Sequence, residues 1–233
     1  MTKARTNASA SPAVGRNMII NGAMNVAQRS ASVTGISGNG YFTLDRWKIE
    51  TANSAGRATM TQTADGPNGI SANCIKLDCT TADTSIAAAE NFVLEQRIEG
   101  QNLQRVGKGV AGAKQITVSF YTKANAAFDF VVELYDADNT RQISKLFSTT
   151  TDWVRQEMTF PADVDDGSSP FGDDNAASLF LNFWLHAGAT FTGGTLNSTS
   201  WANVTNANRA AGIDSFFSST DNNFFITGVQ MEV

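Results

Sequence analysis

The stretch QITVSFYTKANAAFDFVVELYDADNT, residues 115–140, decides the fold. In its first part Ile116, Val118 and Phe120 fall on one face, and Thr117, Ser119 and Tyr121 on the other. In its second part Phe128, Phe130, Val132 and Leu134 share a face. Strict alternation of this kind is the mark of half-buried antiparallel strands. Asn125 to Ala127 and Asp136 to Thr140 read as hairpin turns, because Asn and Asp tolerate left-handed and Asx-turn backbones. Working outward, further strands are expected at 18–28, 42–51, 57–63, 73–80, 91–98, 142–147, 153–160, 178–186 and 223–232. Only 81–92 and 100–106 offer short helical turns. Many short strands with turn-rich joins predict an all-β chain, a two-sheet antiparallel jelly-roll-like sandwich.

A length of 233 residues fits one large all-β domain, expected over 17–233 behind an N-terminal arm of residues 1–16. Hydrophobic residues make up 42% and charged residues 17%, a balance that supports a real core. The arm has no apolar run of about 7 to 15 residues, so no secretory signal is read there. No stretch approaches the roughly 18 apolar residues of a membrane span. Synthesis in the cytoplasm is the expectation. The net charge of -5 hides an asymmetry. Lys3, Arg5, Arg16 and Arg29 precede the first acid, Asp45, whereas residues 156–233 carry nine acids and one base, Arg209. An acidic solvated face accounts for the second half, and a basic arm docking on an acidic neighbour is the sharper reading. Cys74 and Cys79, five residues apart on one strand, point to opposite faces and are read as two free buried thiols.

Chemistry is sparse. His186 is the only histidine, which excludes multi-histidine metal sites and leaves a satisfied or interface histidine. Asp163, Asp165, Asp166, Asp173 and Asp174 are close enough in sequence to hold calcium, the one cofactor considered. They lack D-x-D-x-D-G spacing, so a solvated acidic loop is the preferred reading. No catalytic residue is identified: paired carboxylates from distant strands could serve glycoside hydrolysis, but no residue pattern points to them. GVAGAK at 109–114 lacks the spacing and context of a phosphate loop. In SLFLNFWLH, residues 178–186, Leu179, Leu181, Phe183 and Leu185 lie on one side. Phe180, Asn182, Trp184 and His186 lie on the other, a face either covered by the long loop 187–217 or exposed for binding. Sugar binding needs aromatic planes beside amides or acids; Trp201 in STSWANVTNAN has that setting, and Trp184 and Tyr41 complete the candidate stacking set.

Four blocks stand in order along the chain. They are Asn17, Asn21, Gly22, Gln28 and Arg29; Leu44, Asp45, Arg46 and Trp47; Gln96, Arg97 and on to Gly100; and Phe224 to Val233, with Gly228 inside. In this order they resemble a β-sandwich, carbohydrate-binding-like module of tailed-bacteriophage virion proteins, notably tail fibres and other appendages. The resemblance covers the chain after about its first fifteen residues. It implies a virion structural protein, a homotrimer, attached to other virion proteins through the arm and able to contact host surface polysaccharide. It implies neither nucleic-acid nor membrane partners. A capsid decoration or cement protein without glycan binding is the alternative, and a polysaccharide depolymerase the second. The signature residues are of structural types, and Asp45, Arg46, Gln96 and Arg97 read as polar pairs that fix strand register. An arm of sixteen extended residues spans about 55 Å at most, too short for a fibre shaft.

Overall fold

A computed structural model describes residues 17–164 and 169–233 of the chain. The basic arm, 1–16, and two of the calcium candidates, Asp165 and Asp166, lie outside the described residues. The strands are β1 (Ser32–Ile36), β2 (Lys48–Ala52), β3 (Arg57–Thr63), β4 (Cys74–Thr81), β5 (Asn91–Glu99), β6 (Ile116–Ala124), β7 (Asp129–Asp136), β8 (Arg141–Ser148), β9 (Val154–Phe160), β10 (Ala177–Ala187), β11 (Ala202–Asn203) and β12 (Asn223–Glu232). They form two six-stranded antiparallel sheets, ordered β1-β3-β4-β12-β6-β9 and β11-β8-β7-β10-β5-β2. One short helix, α1 (Ala189–Thr192), follows β10.

Alternation places the core as expected. Ile116, Val118 and Phe120 of β6 meet Phe130, Val132 and Leu134 of β7 and Leu179, Leu181 and Phe183 of β10 between the sheets. Phe120 contacts Phe147 and Phe183 edge-on, each with ring centroids 5.0 Å apart. Burying each such ring contributes roughly 1.5–3 kcal/mol.

The Asp136–Thr140 turn is a true hairpin: the Asp136 carboxylate accepts from the Asp138 and Asn139 amides at 3.0 and 3.1 Å, and Thr140 takes φ 52°. Asn125 to Ala127 is different. β6 and β7 lie in opposite sheets, so this turn is an arch between layers. It runs beside the β8–β9 connection, and the two exchange backbone bonds, Ala124 N–H to Thr150 O and Thr149 N–H to Phe128 O, both 2.9 Å. Turn residues reverse the chain; those traded bonds decide which sheet it enters.

Two expected strands are corrected. Residues 18–28 form a knot of turns with Asn21 and Met24 both at φ 57°, and 42–51 is strand only from Lys48, because Arg46 takes φ 72°. Edge strand β1, with little apolar content and a kink at Gly35 (φ 69°), was not expected. Residues 100–106 are two 3-10 turns, whereas 81–92 holds no helix. Both cysteines are free and buried, Cys79 in the core and Cys74 outside it. Burial pushes each thiol up to about 11.

The signature residues fasten the entering chain. Asn17 donates to Val229 O at 3.1 Å and accepts from the Met231 amide at 2.9 Å. The Asn21 side-chain amide donates to Val26 O and Asp45 O, and the Asn21 backbone carbonyl accepts from Nε1 of the fully buried Trp47. A Cβ on Gly22 would lie 2.1 Å from Val229 O, so only glycine fits. Gln96, on the inner face of β5, bonds both the amide and the carbonyl of Ile20, at 2.8 and 3.0 Å. Asp45 accepts from the Gln28 amide and lies 4.0 Å from Arg29. Arg46 bonds Glu99, whose carboxyl is held below its usual range by Gln101 and Arg46. Gly228 takes φ 61° where β12 breaks register against β6 between Thr227 and Gln230.

Candidate functional site on the outer face of the second sheet

The outer face of the β11-to-β2 sheet carries three ordered rows. Lys48, Glu95, Asn182, Glu133 and Ser144 align across β2, β5, β10, β7 and β8. On one side of this polar row Arg97, Phe180 and Tyr135 align; on the other, Glu50, Val93, Trp184 and Val131 do. Period-two side-chain geometry brings these residues to a single surface.

The segment after β10 folds back over part of it. Phe191 of α1, Leu196, Ala210 and Ile213 pack on Trp184, Val93 and Val131 as a second, smaller apolar cluster. Arg209 crosses the rows. Its guanidinium lies 4.9 Å from the Tyr135 ring centroid and 4.8 Å from that of Trp184, and it forms two bonds to Glu133, at 2.7 and 2.9 Å. Burial opposes the charge on Arg209, but Glu133 more than offsets it and raises its pKa above the ordinary arginine value. Glu133 is itself fully buried and also accepts from Trp184 Nε1 and Asn182 Nδ2, both at 2.9 Å.

What remains open is a groove of about 270 Å³ whose floor is Asn182 and Trp184 and whose sides include Phe180, Tyr135, Phe191, Asn91 and Glu50. Phe180 and Tyr135 are half-buried, with centroids 5.6 Å apart. Arg97 stacks on Phe180 at 4.5 Å and bonds Glu95 at 2.6 Å. Lys48 reaches Glu50 and Glu95. Two amide oxygens at this groove, Asn182 Oδ1 and Asn91 Oδ1, are buried without a hydrogen-bond partner among the described residues. Both are acceptors without a partner, sealed just beneath the groove surface.

The three aromatic candidates do not meet. Trp184 forms the groove floor but is only 3% exposed. Trp201 packs into the main core at 8% exposure, its Nε1 donates to Pro161 O at 2.8 Å, and it lines a separate pocket with Pro161, Asp163 and Thr199. Tyr41 is exposed beside Arg29, 5.5 Å from its guanidinium, and lines no part of the groove. Phe180 and Asn182 stood on the outward face already in the alternation of SLFLNFWLH. Tyr135 and Arg97 alternate outward in the same way. Arg209 had its own signal, being the lone base among nine acids: such a base tends to serve a buried carboxylate.

Of the five calcium candidates, Asp163, Asp173 and Asp174 lie within the described residues. Asp163 is bonded twice by Arg141, at 2.9 and 3.0 Å, and lies 3.8 Å from Lys108 Nζ, so its charge is already compensated. Asp173 and Asp174 are exposed, and Asp174 bonds the Ala176 amide. His186 is satisfied, with Nδ1 2.7 Å from Ser215 Oγ and Nε2 3.3 Å from Glu90.

No protein-family model matches the chain, and no curated protein does. Among solved structures it is similar to a CBM4 structure, at 13% identity and TM-score 0.47 over 92% of this chain and 98% of the other. It is similar also to a family 11 carbohydrate-binding module from Clostridium thermocellum in complex with a beta-1,3-1,4-mixed-linked tetrasaccharide, at 11% identity and TM-score 0.43 over 94% and 96%. A third is TmCBM61 in complex with beta-1,4-galactotriose, at 10% identity and TM-score 0.42 over 93% and 97%. At these identities the likeness is one of fold alone, a two-sheet jelly-roll sandwich.

Proposed function

We propose that this sandwich is a glycan-binding module of a bacteriophage virion appendage and that it works by binding rather than by catalysis. The observation that carries the binding half is the groove. The half-open rings of Phe180 and Tyr135 stand beside Arg97, Glu50 and the side-chain amides of Asn182 and Asn91, whose unpartnered oxygens lie just beneath the surface, and this combination supports holding a sugar by its hydroxyls and its apolar face. At about 270 Å³ it is smaller than typical drug-sized sites of about 300–1,000 Å³, so it suits one or two sugar rings. Glu95 and Glu133 are each hydrogen-bonded to an arginine, an arrangement that supports a binding and structural role for them. The virion half rests on the four-block resemblance, with a homotrimer and attachment through the basic arm as its corollaries.

The test is a glycan array probed with the full chain and with Phe180→Ala and Asn182→Ala. Retention on a bacterial surface polysaccharide, reduced about tenfold or more in either variant while the fold persists, is the expected result. No retained glycan, or retention that ignores both substitutions, overturns the glycan reading. Release of reducing ends from a retained glycan establishes the depolymerase instead. Cryo-electron microscopy of particles carrying the chain tests the rest: trimeric density at the tail is expected, whereas density on the head lattice makes it a cement protein.

A further inference from the structure

Away from the groove, at the end of the sandwich where β4, β5 and β10 come together, three titratable side chains are buried in one place. Asp83 follows β4, Glu90 precedes β5 and His186 lies near the end of β10; their exposures are 5%, 4% and 0%. One donor atom from each lies within 4.8 Å of the others. Among the described residues no lysine or arginine forms an ion pair with either carboxylate; the one ion-pair partner is the imidazole. Two carboxylates and one imidazole therefore share an interior site with more negative than positive charge to offer. Burying such an excess is costly unless a proton or a cation compensates it.

The surroundings hold each group in position. Asp83 accepts from the Ala55 amide at 2.8 Å, from Ser54 Oγ at 3.2 Å and from the Ser85 amide at 3.3 Å. His186 Nδ1 faces Ser215 Oγ at 2.7 Å and leaves Nε2 directed at Glu90, while Phe217 packs against the ring at 5.2 Å. This is the arrangement in which one imidazole nitrogen is anchored by an oxygen and the other is presented to a metal.

We propose that Asp83, Glu90 and His186 form a structural site for a divalent transition-metal ion of the zinc type. A nitrogen and two carboxylate oxygens suit Zn²⁺, which takes such donors at about 2.0–2.2 Å in four-coordinate geometry, the fourth position falling to water or to a second carboxylate oxygen. Calcium asks for about 6–8 oxygens. The ion joins loops from both sheets: the Asp83 amide already donates to Phe217 O, and the Gly188 amide to Glu90 O.

The experiment strips the full chain with a chelator and titrates it with ZnCl₂ by calorimetry and with CoCl₂ by visible absorption. One Zn²⁺ per chain is expected, with the intense d–d bands of four-coordinate Co²⁺. The melting temperature should rise by about 5 °C or more at a hundredfold excess over Kd. Asp83→Asn and Glu90→Gln preserve volume, and each should weaken Zn²⁺ at least tenfold; His186→Gln should abolish the cobalt bands. Should His186→Gln fail to fold, the two carboxamide variants, checked by circular dichroism, decide the matter. The proposal is overturned by a wild-type chain that binds no Zn²⁺ saturably, by Zn²⁺ binding that both carboxamide variants leave unchanged, or by Ca²⁺ competing equally.

Discussion

Among the described residues, Lys108 and Arg141 are buried with Asp136 and Asp163, cation against anion, whereas Asp83 and Glu90 bury two carboxyl groups against a single imidazole. Both clusters tie loops to the sandwich. In the first, Lys108 lies 2.9 Å from Asp136 and donates to Ser169 O at 2.6 Å, and Arg141 donates to Trp201 O at 3.2 Å, so the acidic stretch after β9 is pinned to the β7–β8 hairpin. Among the described residues each of its charges has an opposite partner. The second cluster holds an excess of carboxyl groups, which a shared proton or a bound cation answers. A buried ion is stable in proportion to how fully its charge is answered, not to how many partners surround it. The groove holds a third arrangement, one anion answered by one cation, in Glu133 and Arg209.

The largest effect should come from breaking the balanced cluster. Arg141→Met leaves Asp163 with only the more distant Lys108, and urea unfolding should show a loss of about 3–5 kcal/mol. That loss should be the same with and without chelator, unlike anything that touches His186. Next comes Glu133→Gln, which keeps shape but removes the charge that answers Arg209. A loss of about 1.5–3 kcal/mol is expected, the range for hydrogen bonds to charged groups, together with weaker glycan retention.

The smallest effect concerns buried groups that avoid the problem by staying neutral. Burial pushes Cys74 and Cys79 up to about 11, above the ordinary 9.0 that an unfolded chain would show. The unfolded chain therefore loses its thiol protons first as pH rises. Stability from this source is complete below pH 9 and lost between pH 9 and about 11. Replacing both cysteines by alanine should flatten that alkaline decline, and wild-type thiols should ignore Ellman's reagent at pH 8 until the chain is unfolded.

The sandwich was legible in the sequence because period two is a direct image of the pleat, and SLFLNFWLH set Phe180, Asn182 and Trp184 on one face; His186, read onto that same face, leaves it where β10 breaks register against β5 and packs on Phe217 instead. The knot at 18–28 was not, since left-handed backbone at Asn21 and Met24 leaves no trace in hydrophobic spacing. Nor was the choice between hairpin and arch at Asn125, which depends on bonds to the distant Thr149 and Thr150. Trp201, a tryptophan among polar residues, looks exposed in the sequence, whereas residues far away in sequence cover most of it and set it apart from the groove. His186 stands alone in the sequence, because Asp83 and Glu90 lie about a hundred residues upstream in unremarkable loops and only the fold brings them to it.

The bonds joining residues 17–22 to β12 also have a mechanical meaning. Met18 N–H meets Met231 O and Val229 N–H meets Gly22 O, so the entering segment runs antiparallel to the final strand and the two leave the sandwich side by side. Tension between residue 17 and residue 233 would load these bonds one after another, as a zipper is opened, rather than all at once in shear. A load applied at this pair of ends would peel the knot before it strained the sheets, and the outer face carrying the groove would be the last part to feel it.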